Sequence, residues 1–185
     1  MQTLGLSDST ARSENRLKSL FWPSIKTAND VDYLGAQGFW VCLIVAVLTM
    51  FFAAVTGHPV MGVFFLLFYY LGGVGVRERS RYAAAAVFGM FIIDSIASGF
   101  GIPRLIISGL LLSNVRATWI AAGWRPESEQ AALPPRFSDS WGDKFVDQLP
   151  TWIWPKLKIV YYVFSAFLLA LTFVGLSMLV LRRHG

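Results

Sequence analysis

Cysteine and histidine are nearly missing from this chain. Cys42 is the only cysteine among 185 residues, which excludes an intrachain disulfide and leaves the redox compartment open. His58 and His184 are the only histidines, so a zinc site built from His and Cys is not expected, and the sequence points to no other metal and no cofactor. Charge is scarce too: Asp, Glu, Lys and Arg together make up 15% of the residues. Hydrophobic residues reach 55%, too apolar a balance for a soluble domain of this length. No cleavable signal peptide is expected either. Residues 1–37 hold acids, bases and a proline but no long apolar core, so the first spanning helix would act as the insertion signal.

What is present in quantity is apolar sequence in uninterrupted runs. Gly38 to Thr56 carries no charged residue and, as a helix, covers roughly 28 Å, close to the hydrocarbon core of a bilayer. Gly57-His58-Pro59 is a tight return, with Pro59 suited to a first helical position. Pro59 to Val76 is a second run and thins into Gly72-Gly73-Val74-Gly75, where backbones can approach closely. A third run follows Arg77-Glu78-Arg79-Ser80-Arg81 and contains one acid, Asp94. The fourth, Arg104 to Ala122, is the weakest: it spans if Arg104 and Arg116 snorkel, and otherwise lies in the interface as an amphipathic helix. Ile159 to Leu181 is the last. The expected fold is therefore an all-α polytopic transmembrane helix bundle of about five spans, with four plus one interfacial helix as the alternative.

The corresponding organisation has a cytoplasmic N-terminal arm with an interfacial segment over 1–37 and a four-helix transmembrane core over 38–122. A cytoplasmic loop with a short amphipathic helix follows over 123–158, then the C-terminal helix and basic tail over 159–185. In the loop, Trp141, Phe145 and Leu149 fall four apart and line one face of that short helix. Near the first run, Thr27 or Asn29 is the expected cap of a short helix through Asp30 and Asp32.

The net charge of +5 would raise nucleic-acid binding in a soluble protein. Here the basic residues flank apolar runs, so orientation and the lipid bilayer account for them and no nucleic-acid partner is expected. With an odd number of spans, Arg77, Arg79, Arg81 and Arg116 gather at one edge, which the positive-inside rule assigns to the cytoplasm together with the N-terminus. Trp22, Trp141, Trp152 and Trp154 are the expected interfacial anchors. Leu20-Phe21-Trp22-Pro23-Ser24-Ile25-Lys26 and Trp152-Ile153-Trp154-Pro155-Lys156-Leu157-Lys158 share Trp, Pro and Lys at equal spacing. They read either as independent anchors or as two matched elbows on one face of the membrane.

Asp94 is the one acid inside a run and the default functional residue; Arg104, across the turn, is its expected partner. The pair either fixes the hairpin or serves a proton or ion. Ser95 and Ser98 lie close by, but no histidine stands in that layer to act as base, so an enzyme is not expected. Tyr69 and Tyr70 read as packing rather than as a quinone or lipid pocket.

Gly72 to Gly75, then Arg79-Ser80-Arg81-Tyr82-Ala83, then Asn114-Val115-Arg116-Ala117-Thr118-Trp119 form an ordered set of short motifs. The order resembles that of small bacterial inner-membrane proteins of unassigned function, over about Phe64 to Trp119. The resemblance implies a bacterial inner membrane and a cytoplasmic place for Arg79 and Arg116, and it implies no activity. The expected function is a non-enzymatic scaffold or accessory subunit contacting lipids, another membrane protein or itself. The alternative is a small transporter or channel using Asp94.

Overall fold

The computed structural model describes residues 21–25, 28–99, 101–123, 142 and 144–184. Helix accounts for 91% of them and no strand occurs among them. The order is α1 (Ala28–Val55), α2 (Pro59–Arg77), α3 (Arg81–Ser98), α4 (Ile102–Gly123), a π-helical turn at Lys144–Gln148, and α5 (Leu149–His184). Five helices among the described residues are long and apolar enough to cross a membrane, and α4 is one of them. Leu111, Ser113, Asn114, Ala117 and Thr118 of α4 are buried, so this helix packs into the bundle instead of lying beside it. The all-α bundle with five helices of spanning length is as expected.

α1 and α2 form the central hairpin. Their turn closes with paired backbone bonds, His58 N to Ala53 O at 2.8 Å and Gly57 N to Ala54 O at 3.2 Å. That is a Schellman closure, which needs a left-handed residue, and Gly57 supplies it at φ 80°. Further along, α2 lies so near α1 that a Cβ on Gly73 would sit 2.8 Å from Cys42 Cβ. In the most apolar window of α2, 44% of the residues are buried in protein; in that of α5 only 11% are. α5 is thus a peripheral strut, and most of its length is left for lipid.

Two boundaries differ from the sequence reading. The short helix through Asp30 and Asp32 is not separate from the first span: α1 is continuous from Ala28. Val31, Leu34, Phe39 and Cys42 are buried as one stripe across the expected break at Gly38, and that continuity extends the helix. Likewise α5 starts at Leu149, ten residues before the expected Ile159, and Pro155 lies inside it. The segment before it is a π-helical turn in place of an independent amphipathic helix. Its Phe145 ring packs on Phe39 with centroids 5.5 Å apart and Val146 is buried, so this turn sits on the bundle. Trp141, the arm before residue 21 and most of the expected 123–158 loop fall outside the described residues.

Candidate functional site

The elbow between α2 and α3 is built from the sequence Arg77-Glu78-Arg79-Ser80-Arg81. α2 ends in a second Schellman closure, Ser80 N to Gly75 O at 2.9 Å and Arg79 N to Val76 O at 3.0 Å. Here the left-handed position is held by Arg79 at φ 58°, a conformation that costs a non-glycine residue on the order of 1 kcal/mol. Ser80 then caps α3, accepting from Ala83 N at 3.2 Å, while its hydroxyl meets Tyr162 OH at 2.8 Å. The turn is short because one serine ends one helix geometry and opens the next.

Arg77, the last residue of α2, points into protein and is 3% exposed. Its Nη1 donates to the Asp32 carbonyl at 2.9 Å and its Nη2 to Asp32 Oδ2 at 3.0 Å. Nε donates to Asp147 Oδ1 at 3.1 Å, and Nη2 also pairs with that oxygen. Arg79 Nη2 approaches Asp32 Oδ1 at 3.4 Å. Asp32 comes from α1 and Asp147 from the π-helical turn, so Arg77 ties three segments far apart in sequence. Thr151 strengthens the same corner, donating to the Asp147 carbonyl at 2.8 Å and to Glu78 Oε1 at 3.2 Å. Chemically this cluster is a brace: a guanidinium stays protonated and offers donors only, so it can neither accept nor relay a proton.

At the other end of the bundle the structure brings Asp94 and Arg104 together. Arg104 Nη2 lies 3.7 Å from Asp94 Oδ2, and Nη1 donates to the Gly99 carbonyl at 2.7 Å. Ser98 Oγ donates to Asp94 Oδ1 at 3.3 Å. The Asp94 side chain is 57% exposed, so the bundle itself does not enclose it. One helical turn separates it from the end of α3 at Ser98, and the hairpin opens there.

No protein-family model matches this chain, and no curated protein or solved structure matches it. The function must therefore be read from the two clusters and from the surface around them.

The remaining sequence-predicted residues divide. Arg116 donates to the Pro23 carbonyl at 2.8 Å, and its guanidinium lies 4.7 Å from the Trp22 ring centre. Trp22 and Trp152 are 47% and 63% exposed, as anchors facing lipid or headgroups would be. Trp154 is 8% exposed, enclosed beside Gly75 and ringed by Tyr161 and Tyr162 at centroid distances of 5.8 Å. The two Trp-Pro segments are therefore not matched elbows. Pro23 lies in an irregular segment and Pro155 in a helix, so the same residue types face opposite surroundings.

Sequence reasoning missed Asp32 and Asp147 as partners of Arg77. A signal was available: the arm, the Arg77–Arg81 elbow and the loop after Gly123 were all assigned to one side of the membrane. An acid near a span boundary on that side has a basic elbow within reach. What the sequence lacks is the pairing, because the partners are 45 and 70 residues apart. Among the described residues, no group of three His, Cys, Asp or Glu side chains is placed to hold a metal ion.

Proposed function

We propose that this chain is a non-enzymatic integral membrane protein, a scaffold or accessory subunit packing against lipid and against another membrane protein or a second copy of itself. The observation that carries this reading is that Asp32, Asp147 and Asp94 each meet an arginine of the bundle. Arg77 takes Asp32 and Asp147, and Arg104 takes Asp94. Along the middle of the spans the outward surface carries large apolar side chains, for example Phe51 and Phe52 on α1 and Val163 and Phe167 on α5. The membrane is a bacterial inner membrane on the resemblance set out above. The N-terminus lies in the cytoplasm because the cationic elbow and the start of α5 share its side.

Purified protein in proteoliposomes tests this against the transporter reading. Asp94→Asn is expected to leave ion and proton flux at the level of empty vesicles, as for the parent chain, and to lower stability by about 0.6 to 1.7 kcal/mol in detergent unfolding. Arg104→Gln is expected to cost more than Asp94→Asn, since it also frees the Gly99 carbonyl. A cation-dependent flux in the parent that Asp94→Asn abolishes without loss of stability would establish transport instead.

Orientation is tested separately. A cysteine placed at Ser138 in a Cys42→Ala background should resist impermeant thiol reagents in intact cells. Ready labelling there would reverse the assigned sides.

A further inference from the structure

The cations at the elbow end of the bundle are not alike. Arg77 and Arg79 meet aspartate, and Arg116 is held by the Pro23 carbonyl and the Trp22 ring. Lys156 rests over the Trp152 ring at 3.9 Å. Among the described residues Arg81 meets only its neighbour Tyr82, with its guanidinium 5.1 Å from the ring centre and Nη2 3.4 Å from the hydroxyl. Lys158 is exposed and makes no ion pair among the described residues, and the same holds for Arg81.

Arg81 and Lys158 border one seam. Tyr82 of α3 and Tyr162 of α5 touch across it, with ring centroids 6.0 Å apart. Arg81 is next to the first tyrosine. Lys158 is one helical turn before the second, on the same face of α5. Below Tyr82, Ala86 and Gly89 follow on the same edge of α3 at helical spacing, both half-buried. A Cβ built on Gly89 would meet nothing within 4 Å, so below the cations this edge of α3 is lined by small residues and is open at Gly89.

We propose that the α3–α5 seam at its Arg81 end binds an anionic phospholipid, with the headgroup phosphate between Arg81 and Lys158 and an acyl chain along the open edge of α3 at Ala86 and Gly89. A guanidinium offers a forked pair of donors to phosphate oxygens, and an ammonium adds a point charge. The exposed Tyr82 ring, amphipathic and between the cations and Ala86, suits the boundary between headgroup and hydrocarbon. The apolar depth of the seam below the charges selects a lipid over free phosphate. The proposal rests on the membrane-spanning reading but not on the scaffold role.

Binding is read on the full chain in neutral-detergent micelles, by thermal unfolding and by lipid retained in native mass spectrometry. Phosphatidylglycerol should raise the unfolding midpoint saturably, whereas phosphatidylcholine and inorganic phosphate should not. Arg81→Gln or Lys158→Gln should each raise the half-saturating lipid fraction about fivefold, and the two together roughly thirtyfold. Lys156→Gln, about 200° away from Lys158 around α5, should leave it unchanged. Gly89→Leu keeps both charges and should weaken retention of long-chain but not of short-chain phosphatidylglycerol. Equal response to phosphatidylcholine, equal weakening by Lys156→Gln, or an unaltered double variant would overturn the site. Competition by inorganic phosphate at matching concentration would make it a phosphate site and overturn the lipid. A chain that fails to float with vesicles of either lipid refutes the membrane reading itself; one that floats with both and prefers neither refutes only the site.

Discussion

Arg77→Gln lowers the stability of the bundle by about 3 kcal/mol, the range expected when one partner of a buried ion pair is removed. The guanidinium is 3% exposed, and Asp32 and Asp147 are 27% and 13% exposed at their side chains. Without Arg77 two carboxylates remain close together in a corner with little water, and Arg79, at 3.4 Å from Asp32, offsets that charge only in part. Asp147→Asn should cost less, because Arg77 keeps both the carboxylate and the carbonyl of Asp32. The double change Arg77→Gln, Asp147→Asn should recover part of the loss by removing one of the stranded acids. Unfolding of the parent, the two singles and the double in the same detergent gives the coupling directly. A loss under about 1 kcal/mol for Arg77→Gln would mean that the corner is hydrated, and the brace would no longer explain how the start of α5 is held.

Spanning helices were legible in the sequence because their signal is local. An apolar run bounded by Gly57-His58-Pro59, or by the basic elbow, needs no knowledge of what it packs against. The Asp94–Arg104 contact was readable for the same reason: a short turn places one near the other. The failures share a different cause. Asp30 and Asp32 look like the start of a separate interfacial helix until Val31 and Leu34 are seen buried against the bundle. Arg77 looks like one more edge cation in a run of three arginines, yet it is the one that is fully buried, since it falls in the last turn of α2 and the others come after the chain has turned. Trp22 and Trp154 have nearly the same neighbours in sequence, so no local rule separates them. Their environments diverge because Trp154 meets Gly75, 79 residues earlier, whereas Trp22 meets Arg116.

That last contact supplies the second large effect. Gly75→Ala is expected to destabilise by about 2 kcal/mol, in the range for forcing an extra methyl into a packed site. A Cβ at Gly75 would overlap the Trp154 ring on one side and Ala83 Cβ on the other. Neither neighbour has room to give: Trp154 is 8% exposed between Tyr161 and Tyr162, and Ala83 is completely buried on α3. The same substitution at Gly89 should have the opposite sign, gaining up to about 1 kcal/mol, because an added Cβ there meets nothing and alanine is the better helix former. Shrinking the obstacle separates packing from backbone effects. In a Trp154→Leu background, itself destabilised by the lost ring, Gly75→Ala should cost less than in the parent, the remainder coming from the overlap with Ala83 Cβ. Trp152→Leu, at a ring 63% exposed, should leave the cost of Gly75→Ala unchanged. If Gly75→Ala is as harmless as Gly89→Ala, then α5 does not press Trp154 against the elbow, and the upper part of α5 stands away from α2 and α3.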